Sequence, residues 1–366
     1  MPDTQSENAE PCGSYAPADV TFLLKSVVLP PISVEAKEAL IQSGARHYSE
    51  MLSSEAAPGQ RYMEIYGELL SRNGGKLAQH INTLADSLAA RPYGPRGLAL
   101  TSLARAGTPI GVLLTRALRR RGMRVEHFSI SIIRDRGIDG NALRHILATH
   151  DAADIVFVDG WTGKGAIAKE LRGPRGSRLF GVEPYLVVVA DPAGRADLAA
   201  SFEDYVIPSG ILNGIISGLL SRSILNETIG ANDFHGCVRL DHLQSHDVSR
   251  AFIEVIDRLT MTVGPQIDGF WSPEARLYRR ELCDLLIAQI ALGSAIQDIN
   301  RIKPGIAEAT RALLRRVPHR LLLKDVVDPE VRHLVHLAEE KNVLVEGLPS
   351  NSNFRAVAII AGLGGD

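Results

Sequence analysis

Three cysteines (Cys12, Cys237 and Cys283) among 366 residues are too few and too scattered for a disulfide framework. A formal net charge of -2 excludes a strong overall pull toward nucleic acid or anionic membrane, so any such contact must come from a local patch. No apolar run approaches the roughly 20 residues that span a bilayer. The stretch from Met1 to Ala18 is polar and acidic and lacks the basic-then-apolar profile of a signal peptide, so the expected compartment is the cytoplasm. No internal repeat is present. What remains is 45% hydrophobic and 22% charged, the balance of an ordinary globular chain long enough for two domains.

Residues 1–18 read as a disordered tail, rich in Ser, Asp, Glu, Pro and Gly without apolar periodicity. Ser33 can cap a helix over Val34–Ser43. Helical spacing then predicts one helix through Met63, Tyr66, Leu69 and Leu70 and a second through Leu77, Ile81, Leu84 and Leu88, with Asn73-Gly74-Gly75 as the break. From Gly97 the pattern alternates. Strands are expected at Leu98–Thr101, Val125–Ile133, Ile155–Val158, Tyr185–Ala190 and Tyr205–Ile207. Helices are expected from Thr108-Pro109 to Gly122, then over Asn141–Ala148, Gly163–Leu171 and Ile211–Arg222. Such alternation implies βαβ units and a parallel sheet. A helix over Val248–Leu259 and a linker near Gly264–Pro273 precede a second unit. There, helices are expected at Leu282–Leu292, Ile306–Leu314 and Glu330–Glu340, with strands at Leu321–Leu323, Val343–Val345 and Val357–Ile360.

Ligands of open parallel sheets sit where strands end and helices begin. Two loops stand out. Ser102–Thr108 offers small residues and one guanidinium, Arg105. Asp159-Gly160-Trp161-Thr162-Gly163-Lys164-Gly165 offers three glycines, a threonine and a lysine ahead of a helix. Those are the amides and the cation that a phosphate monoester needs, and Asp159 is placed for ribose hydroxyls or magnesium. The plain alternative is a tight turn with a solvated lysine. A Walker A motif is excluded, because Gly160 and Gly163 are too close together and Gly165 follows Lys164.

These loops resemble type I phosphoribosyltransferases. The resemblance implies that Arg105, Ala106 and Gly107 hold pyrophosphate and that Thr162, Gly163, Lys164 and Gly165 hold the 5′-phosphate. It further implies that Arg134 and Arg136 lie on a closing segment, Arg134–Asp139, and that phosphoribosyl pyrophosphate binds with magnesium. This chain departs from the pattern at Gly160, where the family has a second acid. More narrowly, Asp19–Lys25, Val158–Gly165 and Ser217–Arg222 resemble phosphoribosyltransferase-like proteins of bacterial tellurite-resistance and stress gene clusters. In these a Pelota-type RNA-binding domain follows, and the family has also been labelled StiP cysteine proteases.

The implied division is residues 1–18 as tail, 19–263 as the transferase-like domain with a helical N-terminal extension, 264–274 as linker and 275–366 as a small α/β Pelota-like domain. In the last, Gly305–Arg311 stands where the family reads bent RNA, with the family's Asn lost and its Lys replaced by Arg311. Lys303, Gly305, Glu308, Arg311 and Arg315 are the implied RNA contacts, within a basic patch that adds Arg301, Arg316 and Arg320. RNA or the ribosome is the implied partner, and a homodimer follows from the transferase resemblance. A non-catalytic ribose-phosphate sensor stays open. The residues near Cys237 (His235, Asp241, His242 and His246) leave room for a cysteine hydrolase, a zinc site or merely solvated side chains.

Overall fold

The computed structural model describes residues 13–266 and 272–362. The first unit opens with a short strand, β1 (Thr21–Leu23), followed by helices α1 (Val34–Gln42) and α2 (Gln60–Ala89). Strands and helices then alternate as β2 (Leu98–Leu103), α3 (Gly107–Arg120), β3 (Val125–Ile130), α4 (Gly140–Leu147), β4 (Ile155–Trp161), α5 (Ala166–Arg172), β5 (Leu186–Ala190) and β6 (Leu198–Ser201). The six strands form one parallel sheet in the order β1-β3-β2-β4-β5-β6. Helix α6 (Ser249–Thr260) joins α2 and α3 on one face, over Leu100, Val156, Val158 and Val187. Helices α4 and α5 cover the other face, over Phe128, Phe157, Leu186 and Val188. Buried on both sides, the central strands read as continuous apolar runs.

The second unit begins with α7 (Pro273–Gly293), whose cap is Ser272 Oγ accepting from the Ala275 amide at 3.1 Å. It continues as β7 (Ile302–Pro304), α8 (Ile306–Arg315), β8 (Pro318–Leu323), α9 (Arg332–Glu340), β9 (Leu344–Gly347) and β10 (Ala356–Ile360). Its sheet runs β7-β10-β8-β9, with β10 antiparallel to both neighbours and β8 parallel to β9.

Several expectations are corrected. Residues 1–12 of the expected tail lie outside the described residues, but 13–18 are folded. Tyr15 is fully buried and its hydroxyl donates to the Ile216 carbonyl at 2.8 Å. The expected break at Asn73-Gly74-Gly75 is absent, and α2 is one helix of 30 residues. Packing overrides propensity here: a Cβ on Gly74 would stand 3.2 Å from Leu259 Cδ1 of α6, so glycine lets that helix approach. Residues 205–222 form neither strand nor helix; β6 takes the edge position, and short 3-10 turns follow at Pro208–Gly210 and Gly214–Ile216. Ile211, Leu212, Ile215, Ile216, Leu219 and Leu220 are all buried, which leaves no polar face for a surface helix, and Gly218 and Leu219 turn left-handed at φ 84° and 58°. Thr108 does not cap α3, because its hydroxyl meets Ser129 Oγ at 2.8 Å inside the core. Part of the expected linker lies outside the described residues, while the Gln266 amide is held by Thr83 Oγ1 at 2.9 Å.

The two units share one apolar core, in which Ile306, Ala309, Leu313 and Leu337 join Leu69, Ile207 and Ile211. Buried carboxylates fix the register. Asp204 accepts the first amide of α8 (Ile306, 3.0 Å) and the Arg355 amide (2.8 Å). Glu330 accepts from the Val206 amide at 2.6 Å and from Asn73 Nδ2 at 2.9 Å. Arg316 pairs with Glu38 on α1, and Arg355 with Glu203 at 2.7 Å. Replacing Glu330 with Ala strands the buried Val206 amide and one N–H of Asn73, whose other N–H keeps the Val206 carbonyl. The expected loss is about 1–3 kcal/mol of unfolding free energy, checked by urea denaturation of the full chain.

Candidate active site between the two units

Helix α3 leaves β2 toward one face of the sheet and α5 leaves the adjacent β4 toward the other. A crevice therefore opens beyond their carboxyl ends, the usual place for a ligand in such sheets. The second unit roofs it. The cavity, about 320 Å³, is lined from below by Ala104, Asp159 and Trp161, the loop Thr162–Gly165, Arg134 and Arg222. Lys303, Glu308, Arg311, Arg315 and Arg316 line it from above, and Lys37 of α1 closes one side.

The loop after β4 is anchored at its first residue. The Thr162 amide donates to the Ala190 carbonyl at 3.0 Å, and its hydroxyl donates to Asp191, which also accepts the amides of Arg195 (2.7 Å) and Ala196 (2.9 Å). The hydroxyl of Thr162 is thus committed to the fold. By contrast, the amides of Gly163, Lys164, Gly165 and Ala166 meet no protein acceptor among the described residues, and all four residues line the cavity. Gly165 turns at φ 90°, a left-handed conformation that glycine adopts without strain. At Gly163 a Cβ would stand 2.8 Å from Glu308 Cγ, so glycine also permits the roof to come down on the loop. Lys164 reaches across and donates to the Ile299 carbonyl of the second unit.

Electrostatics define the cavity. Burial lowers the Lys164 ammonium to about 8, with Arg134 adding repulsion. Lys303 and Lys37 fall to about 7, again through burial first; Arg222 adds to the fall at Lys37, while at Lys303 Glu308 opposes it and Lys164 adds to it. Arg311 and Arg315 are driven down by burial as well. Asp159 is raised to about 6 by burial, partly offset by Arg311. Arg311 lies over the Trp161 ring at 4.4 Å and 3.6 Å from Glu308. Positive charge is crowded and desolvated here, a state that an anion relieves.

The residues expected for the site divide in two. Asp159, Arg134, Thr162, Gly163, Lys164 and Gly165 line the cavity, and so do Lys303, Glu308, Arg311 and Arg315, the residues that the Pelota resemblance assigns to RNA. Gly305 lies behind them, its amide donating to the Ala356 carbonyl at 2.8 Å. Arg105, Ala106 and Gly107 do not line the cavity. The Arg105 guanidinium is buried in an ion pair with Glu55 and donates to the Leu220 carbonyl at 2.5 Å. A Cβ on Gly107 would stand 2.2 Å from the Val158 carbonyl oxygen, so that glycine serves packing of α3 on β4. Arg136 faces outward and pairs with Glu50 at 2.8 Å. The expected closing segment is a hairpin, Ile132–Ile133 against Gly137–Ile138, tied to the Arg175 carbonyl. Lys37 was not anticipated, since a lone lysine on a short helix carries no local signature.

The cysteine and histidine cluster does not assemble. Cys237 and Cys283 are fully buried, and burial raises the Cys283 thiol to about 11, opposite to what a nucleophile needs. His235 meets Ser131 Oγ at 2.8 Å and His242 the Glu55 carbonyl at 2.9 Å. No group of three metal-ligating side chains occurs among the described residues. Cys12 lies outside them. No helix among them is long and apolar enough to cross a membrane.

The family described as "Tellurite-like stress resistance cysteine protease StiP" matches residues 13–257, and the "PELOTA RNA binding domain" matches residues 284–362. The chain belongs to the StiP family. A relative from Acinetobacter baylyi (strain ATCC 33305 / BD413 / ADP1), named Cysteine protease StiP, is 43% identical over 364 residues, 96% of this chain and 94% of its own. Among solved structures, the hypoxanthine phosphoribosyltransferase from Trypanosoma cruzi in complex with the product IMP aligns at 16% identity and TM-score 0.27, over 34% of this chain and 75% of its own. The HGPRT-ase from Leishmania tarentolae in complex with GMP aligns at 15% and 0.24, over 38% and 78%.

The depressed lysines set a pH dependence. Their folded values of about 7 to 8 lie below the unfolded value of 10.5, so above pH 7 the unfolded chain holds more protons. Unfolding free energy is therefore expected to rise between pH 7 and about 9, before the tyrosines ionise. Melting temperatures at constant ionic strength check this, and added phosphate is expected to flatten the rise.

Proposed function

We propose that the chain is a phosphoribosyltransferase-like enzyme that takes a ribose 5-phosphate ester bearing a diphosphate, phosphoribosyl pyrophosphate or a near relative. One observation carries this reading: Gly163–Ala166, whose amides meet no protein acceptor among the described residues, line one cavity together with Lys303, Arg134 and Arg311. Those amides suit three phosphate oxygens, and the two lysines supply counter-charge. In this reading Asp159, which lines the same cavity near the end of β4, takes the ribose hydroxyls.

In this reading an acceptor attacks the anomeric carbon, the bond to the diphosphate oxygen breaks, and that oxygen leaves with the electron pair. The cavity cations stabilise the charge that develops. Magnesium fits only as an ion arriving with the substrate, because the cavity offers Asp159 and Glu308 and no protein cage. Bound there, it would neutralise diphosphate charge.

A second reading, a sensor that binds without turnover, is favoured by two features. Gly160 replaces the second acid, and Arg105 is held by Glu55. Measuring pyrophosphate release separates the two. The protease named for the relative finds no exposed thiol among the described residues. RNA contact rests on the description of the second unit, and in the docked state it falls to faces other than Gly305–Arg311.

Phosphoribosyl pyrophosphate with magnesium is expected to raise the melting temperature, and Lys164→Ala to weaken binding by about tenfold or more. The shift should shrink from pH 6.5 to 8.5, as lysines at about 7 to 8 in the ligand-free protein lose their protons. No shift at millimolar ligand would sink the reading.

A further inference from the structure

A second cavity, about 370 Å³, lies beside the first and is walled by Leu52, Tyr62, Ile211, Leu212, Leu314 and Leu337. The two cavities share three charged residues, Lys37 from α1, Arg222 and Arg315 from α8. We propose that Lys37, Arg222 and Arg315 form a second anion subsite at this seam, and that it takes the diphosphate group. The proposal rests on the reading that Gly163–Ala166 hold the sugar phosphate, and it names what holds the other end.

The hydrogen bonding of the three residues supports it. Lys37 Nζ donates to Ser53 Oγ at 2.9 Å, Arg222 donates to the Tyr48 and Met51 carbonyls, and Arg315 donates to Asn213 Oδ1. Every one of these acceptors is neutral. The nearby carboxylates are engaged elsewhere, Glu38 by Arg316 and Glu55 by Arg105. Among the described residues, none of the three cations is within ion-pair distance of a carboxylate. The Nε–H groups of Arg222 and Arg315 are buried with no partner. An unpartnered buried guanidinium N–H costs free energy unless something accepts from it. Two forked guanidiniums and an ammonium converging from three elements suit a group with several anionic oxygens better than a monoester.

The seam also resolves a conflict at the first loop. The guanidinium expected to hold pyrophosphate, Arg105, is spent on Glu55 and lies outside the cavity. The seam supplies the missing charge from a different wall, in part from the second unit. When the anomeric C–O bond breaks, the departing diphosphate oxygen keeps the electron pair, and the three cations hold it. The acceptor forms the new bond to carbon and gives its proton to solvent.

Calorimetry on the full chain tests this with two probes, inorganic pyrophosphate and ribose 5-phosphate. Both are expected to bind the wild-type protein together, without displacing each other. Lys37→Met and Arg315→Gln should each weaken pyrophosphate by about tenfold or more and leave ribose 5-phosphate unchanged. Lys164→Ala should do the reverse. Ligand-free melting temperatures of Lys37→Met should hold or rise, since one repelling charge is gone, which separates lost binding from lost folding. Absent pyrophosphate binding, or pyrophosphate binding indifferent to both seam variants, overturns the subsite. Displacement of pyrophosphate by ribose 5-phosphate overturns it too. Failure of ribose 5-phosphate alone, with pyrophosphate still sensitive to Lys37→Met, contradicts the sugar-phosphate reading and leaves the subsite standing.

Discussion

The arrangement depends on positive charge held out of water between two sheets. Lys37, Lys164, Lys303, Arg222, Arg311 and Arg315 face a cavity whose acids are Asp159 and Glu308. Burial first, with like-charge repulsion adding to it, pulls these lysines down to about 7 to 8. Such a site persists because the surroundings fix it. The shared apolar core and the carboxylates of Asp204 and Glu330 hold the second unit down whether or not the charge is neutralised. The free energy stored in the repulsion is available to a polyanion on binding.

This view changes what the second unit is for. Its likeness to an RNA-binding domain suggests a module displayed to solvent, yet the string that would read RNA is turned onto the loop after β4. Glu308 packs on Gly163, and Arg311 stacks on Trp161. In the proposed function the unit forms half of a small-molecule site. The glycine at 163 gives the roof room to close on the loop whose amides the proposal assigns to a phosphate.

Much of the sheet was legible in the sequence, because buried parallel strands are continuous apolar runs and the helices between them begin at or just after glycines. The loop Thr162–Gly165 was legible for the same reason, its glycines falling right after such a run. The break expected in α2 was misread because glycine next to asparagine signals a stop locally, whereas Gly74 is there for the side chain of Leu259. Residues 205–222 were misread because an apolar stretch buried all round has no period to betray its shape. The site was half legible. Residues from one loop could be grouped by adjacency, but the meeting of Lys37, Arg222 and Arg315 with that loop is set by docking of α1 and α8, and no local spacing encodes it. Arg105 looked available because its partner, Glu55, lies 50 residues away in sequence.

The most direct test is a crystal structure of the full chain soaked with ribose 5-phosphate. The account predicts phosphate oxygens within hydrogen-bonding distance of the amides of Gly163, Lys164, Gly165 and Ala166, with the ribose hydroxyls toward Asp159. Amides turned onto protein groups, or a sugar phosphate bound away from that loop, would contradict it.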